Sequence, residues 1–313
     1  MNDDAGKRGA VLITGAGSGL GLETALYLAS RGLNVYGSVL TAAEESQLRE
    51  QAARRGVSVA IVSLDVTDEA QIRACVQQVV NQSGRIDALV YFAGLGLRGF
   101  FEDLTLEEVR QVYEVNVFGA MAVAQAVLPH MRRAGAGRIV LTSSVGGRMG
   151  SMTISGYSSS KFALEGFGEC LRQEVYPFGI YVSMLEPGLV ATPHFTVNRN
   201  RASNSVNPSS PYYSWFCQHE HIVDGILEKK KLQPNEVAET VYRILQARHP
   251  KLRYLAGRDA KLVLACRRYI PGSIFENIYW AILRKMVTRP RHAVDGLSQD
   301  IPGSVESGRT HSQ

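Results

Sequence analysis

The tightest constraint on this chain lies near its start. An apolar run at 10–13 passes directly into Thr14-Gly15-Ala16-Gly17-Ser18-Gly19-Leu20-Gly21, and a helical pattern follows through residue 30. Glycine is needed where a Cβ would block a tight turn or keep a ligand from the backbone. A helix N-terminus adds unpaired N–H groups and the positive end of the helix dipole. The arrangement predicts a seat for the diphosphate of a dinucleotide. A bare chain reversal also uses glycine, but its place at the first strand-to-helix turn of a parallel sheet argues against that reading.

Runs at 34–39, 57–64, 86–92, 138–142 and 180–185 repeat the first strand's character, apolar on consecutive positions as in strands buried on both faces. Helical patterns lie between them at 42–54, 68–81, 106–133 and 156–176, with Asp68 and Thr105 placed as N-caps. Such alternation predicts a Rossmann-type doubly wound parallel α/β sheet, and 313 residues suit a single α/β domain with an extension. Beyond 193 the pattern changes. A polar stretch at 198–211 precedes the aromatics Tyr212, Tyr213, Trp215 and Phe216, then a helix opening at Pro234 and a last strand at 252–256. The expected organisation is a flexible start (1–9), a domain at 10–256 with a substrate loop or lid at 194–232, a helical extension at 257–288 and a mobile tail at 289–313.

Composition removes several classes. A chain 45% hydrophobic and 20% charged is not intrinsically disordered. No apolar run reaches the ~18 residues of a membrane span, and the first ten residues hold no apolar signal core. Four cysteines (Cys75, Cys170, Cys217, Cys266) show no metal or disulfide spacing, which fits free thiols in the cytoplasm. The net charge of +5 raises nucleic acid as a partner, but the basic residues are dispersed and form no recognisable binding module.

Tyr157 and Lys161, four apart, share one face of a helix. A phenol titrates near 10, and an ammonium ~4 Å away is worth at most ~4 kcal/mol at an effective dielectric of 20. That would lower the phenol by up to ~3 units, into range for general acid–base work. A plain surface pair is the other reading; the glycine turn weighs against it, because hydride transfer needs a matching proton donor or acceptor.

The glycine spacing, Gly15-x-x-x-Gly19-x-Gly21, resembles that of the short-chain dehydrogenase/reductase family. Asp65-Val66, Ala93-Gly94, Asn116, Ser144, Tyr157-x-x-x-Lys161, Pro187-Gly188 and Thr192 extend the resemblance in order across 9–193, and more loosely to 256. It implies a nicotinamide dinucleotide held by Gly15, Ser18, Gly19, Leu20 and Gly21, with Asp65 and Val66 at the adenine. Ala93, Gly94, Tyr157, Lys161, Pro187, Gly188, Val190 and Thr192 would complete the cofactor site. It also implies catalytic roles: Tyr157 as acid/base, Lys161 lowering its pKa and binding the nicotinamide ribose, Ser144 polarising the carbonyl, and Asn116 distorting its helix and holding a relay water. Ser143 is a rival for the serine role, and no metal is implied. The chain departs from the family at Tyr91-Phe92-Ala93-Gly94, where Asn-Asn-Ala-Gly is usual.

An NAD-preferring site places a carboxylate at the end of the second strand, an NADP site a cation. Val39-Leu40-Thr41 offers neither; the lack of a nearby cation leans toward NAD. Around the active residues, Leu95-Gly96-Leu97-Arg98-Gly99, Val145–Gly150 and Lys161–Gly166 look like the 17β-hydroxysteroid and retinol dehydrogenase branch. Leu95, Leu97, Met149 and Met152 would form an apolar substrate pocket, with the aromatics at 212–216 either a lid or internal packing. The basic, apolar segment 261–288 would cover that pocket, form an interface or rest on a membrane surface. The resemblance further implies a homodimer or homotetramer. A 3-oxoacyl-carrier reductase and a catalytically silent dinucleotide sensor are the competing functions.

Overall fold

The computed structural model describes residues 9–190, 199–229 and 232–287. Seven strands form one sheet: β1 (Ala10–Thr14), β2 (Asn34–Val39), β3 (Ala60–Ser63), β4 (Ile86–Tyr91), β5 (Gly137–Thr142), β6 (Ile180–Pro187) and β7 (Arg253–Ala256). Their order is β3-β2-β1-β4-β5-β6-β7, and every pairing is parallel. Order reverses between β1 and β4, the crevice where such sheets bind ligands.

Side chains of successive strand residues point to opposite faces, so an all-apolar strand feeds two cores. Ala10 and Leu12 of β1 join one core while Val11 and Ile13 join the other; Leu89 and Tyr91 of β4 likewise oppose Ala88 and Val90. Helices α3 (Glu69–Ser83), α5 (Ala120–Ala134) and α6 (Ser155–Val175) cover the first face with Val79, Val127 and Leu164. The second is covered by α1 (Gly19–Ser30), α2 (Ala42–Arg54) and α8 (Pro234–Gln246), through Leu28, Leu48 and Val241. Each such burial contributes about 1.5–3 kcal/mol.

The helix expected at 106–133 is three pieces: α4 (Leu106–Tyr113), a π-helical turn (Glu114–Gly119) and α5. A π-turn frees a carbonyl from the regular ladder, and here the Tyr91 hydroxyl donates to Val115 O at 2.7 Å. Gly119 sits at the closest approach: a Cβ there would lie 2.8 Å from the Tyr91 hydroxyl and 2.9 Å from Val66 O. The run Leu106–Ala134 is by length and composition apolar enough to cross a membrane, although polar and charged residues interrupt its apolar stretches. In the fold it lies on the sheet, with Val123, Val127 and Met131 fully buried.

Asp68 and Thr105 cap α3 and α4 as expected, Asp68 accepting from the Ala70 and Gln71 amides and Thr105 forming a reciprocal capping box with Glu108. Within the expected loop 194–232, residues 213–228 form α7 (Tyr213–Glu228). The extension is a pair of helices, α9 (Arg258–Tyr269) and α10 (Gly272–Val287). The start 1–8 and the tail 289–313 lie outside the described residues.

Candidate active site

The glycine turn places α1 with its N-terminus toward the crevice. Gly15 and Gly19 have φ of +66° and +55°, which only glycine adopts without strain. A Cβ on Gly21 would fall 2.1 Å from Gly15 O, so the helix can start this close only with glycine there. Ser18 is the N-cap residue, yet its side chain makes no capping bond. The first amides of α1 and the Ser18 hydroxyl therefore keep hydrogen-bonding capacity for a ligand.

A cleft of about 610 Å³ runs from this turn along the strand ends. Ser18, Gly19 and Leu20 line it at one end; Tyr157, Lys161, Pro187, Gly188 and Val190 line it at the other; Asp65, Val66, Ala93 and Gly94 lie along it. Thr192 falls outside the described residues. Thr142 and Ser143 also face the cleft, and their buried hydroxyls have no hydrogen-bond partner among the described residues. Unpaired amides at a helix start, unsatisfied hydroxyls and a glycine-lined wall suit a long ligand with a phosphate at one end and polar ring substituents at the other, as in a nicotinamide dinucleotide.

Two features of this cleft escaped the sequence reading. Glu44, from the first turn of α2, lies beside Leu40, Ser18 and Ser38, and its Oε2 accepts the Leu40 amide at 2.7 Å. A Cβ on Gly17 would strike the Glu44 side chain at 2.4 Å, so glycine at 17 is what lets this carboxylate lie across the turn. The available signal was Thr41-Ala42-Ala43-Glu44, a capping-box spacing that predicts where Glu44 starts its turn but not what it reaches. Second, Thr14 Oγ1 accepts the amides of Phe92 (3.1 Å) and Ala93 (3.2 Å). That tie joins β1 to the end of β4 without help from the Phe92 side chain.

The helix α6 carries Tyr157 and Lys161 on its inner face. Lys161 is buried, donates from Nζ to Thr142 O at 2.8 Å, and lies 5.7 Å from the centre of the Tyr157 ring. Burial pushes this ammonium down to about 8, with the Glu165 carboxylate opposing the shift. The phenol of Tyr157 is shifted upward, not downward: burial raises it and the hydrogen bond with Ser144 draws it only partly back. The expected lowering of the phenol by Lys161 is thus absent from this arrangement, because the ammonium stands beside the ring and is bonded to Thr142 instead. Ser144 is held by its own loop, its Oγ accepting the Gly146 amide at 3.0 Å.

Asn116 is fully buried within the π-turn. Its amide donates to Leu95 O (2.9 Å) and Ser160 Oγ (3.0 Å), and its Oδ1 accepts the Leu95 amide (2.8 Å). The side chain therefore clamps the loop after β4 to α6.

A second cavity of about 270 Å³ opens beside the first. Ser144, Tyr157 and Gly188 line both. Leu97 and Met149 line the second cavity, whereas Leu95 faces the dinucleotide cleft and Met152 lines neither. Ser143 lies in the larger cleft alone, leaving Ser144 as the serine common to both. The aromatics at 212–216 do not line the cavity either; Tyr212 stacks on Phe100 at 4.9 Å and donates to Glu102 at 2.7 Å. The cover comes from α9, through Ala260 and Val263.

Residues 9–203 match the sequence model of the short chain dehydrogenase family. An uncharacterized oxidoreductase, YusZ, of Bacillus subtilis is 38% identical over 270 residues, 85% of this chain and 95% of that protein. Human 17-beta-hydroxysteroid dehydrogenase type 1 is 36% identical over 309 residues, 96% of this chain and 89% of its own length. A crystal structure of a short-chain dehydrogenase from Streptomyces avermitilis superposes with a TM-score of 0.71 at 30% identity, covering 88% of this chain and 98% of that one. With glycine turn, parallel sheet and paired cavities all in agreement, the chain belongs to the short-chain dehydrogenase/reductase family and is an oxidoreductase of the kind that binds a nicotinamide dinucleotide.

Proposed function

We propose that the protein interconverts an alcohol and a carbonyl on a bulky apolar substrate, steroid-like ahead of retinoid-like. The reading rests on one observation: the hydroxyls of Ser144 and Tyr157 stand where the dinucleotide cleft and the apolar cavity meet. The bound dinucleotide supplies or accepts the hydride; the protein's part is to hold the substrate oxygen and move its proton. Tyr157 is the acid/base. Its upward shift keeps the phenol protonated at neutral pH, poised to donate to a carbonyl oxygen during reduction. Ser144 hydrogen-bonds the same oxygen, Lys161 fixes the ribose beside it, and Asn116 keeps the loop after β4 in register.

Glu44 supports NAD over NADP. It lines the cleft with Ser18, Ser38 and Leu40, and a carboxylate there would accept a ribose 2′-hydroxyl and repel a 2′-phosphate. The outer face of α9 and α10 exposes Leu262, Tyr269, Ile278 and Trp280 among basic residues. That mixture suits a cytoplasmic enzyme resting on an anionic membrane from which an apolar substrate is drawn; sedimentation with phosphatidylglycerol vesicles, reduced by Trp280→Asp, tests it. Pairing of two copies through α5 and α6 is the expected assembly, with Phe118 exposed on the π-helical turn before α5 and Phe162 exposed on α6, and light scattering reads it.

The principal test follows absorbance at 340 nm with steroid, retinoid and short alcohol–ketone pairs, using both cofactors in both directions. Turnover of a bulky apolar pair falling about 10²–10⁴-fold in Tyr157→Phe is expected. Undiminished turnover in Tyr157→Phe would refute the assignment.

A further inference from the structure

The substrate cavity is not apolar all round. Leu97, Met149, Leu189, Ala260 and Val263 give it a greasy wall, but Arg98, Arg199 and Asn200 also line it. Arg98 is 8% exposed, and a guanidinium so buried needs compensating partners. It has them on two of its three nitrogens. Nε donates to Glu220 Oε1 at 2.5 Å, and Nη2 reaches Thr153 Oγ1 and His219 Nδ1, each at 3.3 Å. Nη1 donates to no protein atom among the described residues.

Its carboxylate partner is not its own. Glu220 is shared among three guanidiniums: Arg98, Arg199 at 2.9 Å and Arg201 at 2.9 Å. Asp224, half in solvent, also pairs with Arg199. His219 adds no positive charge near neutral pH, since burial and the neighbouring Arg98 push it down to about 4. Asp103, the other buried carboxylate of this region, is held by the Ser205 and Ser210 hydroxyls and does not line the cavity. Among the described residues these guanidiniums share Glu220 and Asp224, so Arg98 stands as a cation at the wall of an apolar chamber. The arrangement is also stiff: Thr153, whose hydroxyl meets Arg98 and His219, is the one non-glycine among the described residues with positive φ, at 64°. A β-branched residue holds that conformation only when its surroundings over-determine it.

The geometry points to Arg98 as an anion-recognition group of the substrate cavity, so that the preferred substrate is an amphiphile: an apolar body carrying a carboxylate or sulfate remote from the reacting carbonyl. This deepens the function proposed above and rests on it for the chemistry at Tyr157. Purely structural work for Arg98 is already done through Nε and Nη2. The N–H groups of Nη1 are left to donate a charge-assisted hydrogen bond to an oxyanion oxygen, and the guanidinium charge disfavours substrates bearing an ammonium.

Binding and turnover separate the two readings. Calorimetry on the cofactor-loaded enzyme compares decanoate with 1-decanol. Turnover compares 9-oxodecanoate with 2-decanone, and dehydroepiandrosterone 3-sulfate with its parent ketone, so that carboxylate and sulfate are ranked. Wild type is expected to favour the anionic member of each pair about tenfold or more, less so as salt rises. Arg98→Gln brings the ratio toward one, and Arg98→Lys, which keeps the charge, retains part of it. Equal binding of decanoate and 1-decanol by wild type overturns the proposal, as does an unchanged ratio in Arg98→Gln. Preferential decanoate binding with no ketone turned over would instead refute the catalytic reading and leave the anion site standing. Should Arg98→Gln fail to fold, the wild-type ratios and Arg98→Lys still decide.

Discussion

The proposed preference for NAD rests on one carboxylate, that of Glu44. Glu44 is half-buried over Gly17, anchored through Oε2 to the Leu40 amide, and flanked by Ser18 and Ser38. A 2′-phosphate carries about two negative charges at neutral pH. Each unit-charge pair at ~4 Å is worth about 1 kcal/mol in water and about 4 kcal/mol at an effective dielectric of 20. A half-buried site open to solvent lies toward the lower end, so repulsion of NADPH amounts to about 2–3 kcal/mol, or about 30–150-fold in Kd. Replacing Glu44 by Gln keeps the side-chain shape and an acceptor for Leu40 while deleting the charge. Fluorescence titration of NADH and NADPH at low and high salt measures the effect. In wild type NADH should bind more tightly, with the gap narrowing as salt screens the pair. In Glu44→Gln the NADPH Kd should improve by most of that factor while NADH changes several-fold at most. Equal affinity in wild type, or a variant that shifts both cofactors together, would refute the electrostatic argument.

Gly94→Ala should cost little thermal stability, since its Cβ presses only on Asn116 Oδ1, at 3.2 Å, and meets Phe92 O and Lys161 Nζ at ordinary contact distances of 3.7 and 3.8 Å; it should nonetheless weaken dinucleotide binding about tenfold or more by filling the cleft near Lys161. Gly21→Ala, which drives a Cβ into Gly15 O, should lose both binding and about 1–3 kcal/mol or more of stability, read by denaturant melts. Lys161, lowered from 10.5 to about 8, is less willing to hold its proton when folded. The unfolded chain therefore binds more protons between those values, and stability should rise with pH across that window; Lys161→Met should abolish the rise. Glu165→Gln removes a charge that favours the ammonium, so the same stability window should open at a lower pH. With the Tyr157 phenol shifted upward, alcohol oxidation should accelerate with pH across the alkaline range while carbonyl reduction stays level through neutrality.

The strands, the glycine turn, the Tyr157–Lys161 spacing and the capped helix starts were all readable because each is local. Period, cap and turn act within a few residues. The break in the helix at 106–133 was not readable from its own residues, since Val115 O is taken by Tyr91, 24 positions away. Glu44 illustrates the same limit at shorter range. Its capping role is local, but its place in the cleft depends on Gly17 having no side chain. Leu95 and Met152 were assigned to the substrate pocket by nearness in sequence to active residues, and neither lines it. Arg98, which does line it, is held by Glu220, 122 positions away, and no periodicity reports such a pairing.

The departure at Tyr91-Phe92 was the one sequence feature that favoured a protein without turnover, and the structure shows what replaces the usual asparagines. Phe92 contributes an apolar side chain to the core beneath α1 and α2, and so cannot tie strands by hydrogen bonds. Thr14 takes over that task by accepting two successive amides from the end of β4. Tyr91 reaches farther than an asparagine would and caps the carbonyl released at the π-turn, the same turn that carries Asn116. Asn116 in turn grips Leu95 by both its amide and its carbonyl oxygen. The loop after β4 is therefore fixed at three points by groups other than the missing side chains. A chain that had abandoned catalysis would have no need to keep that loop, Ser144 and Tyr157 in mutual register. Removing the Tyr91 hydroxyl leaves a buried carbonyl unpaired, at a cost of about 1–3 kcal/mol, and slackens the clamp on Asn116 at the same stroke.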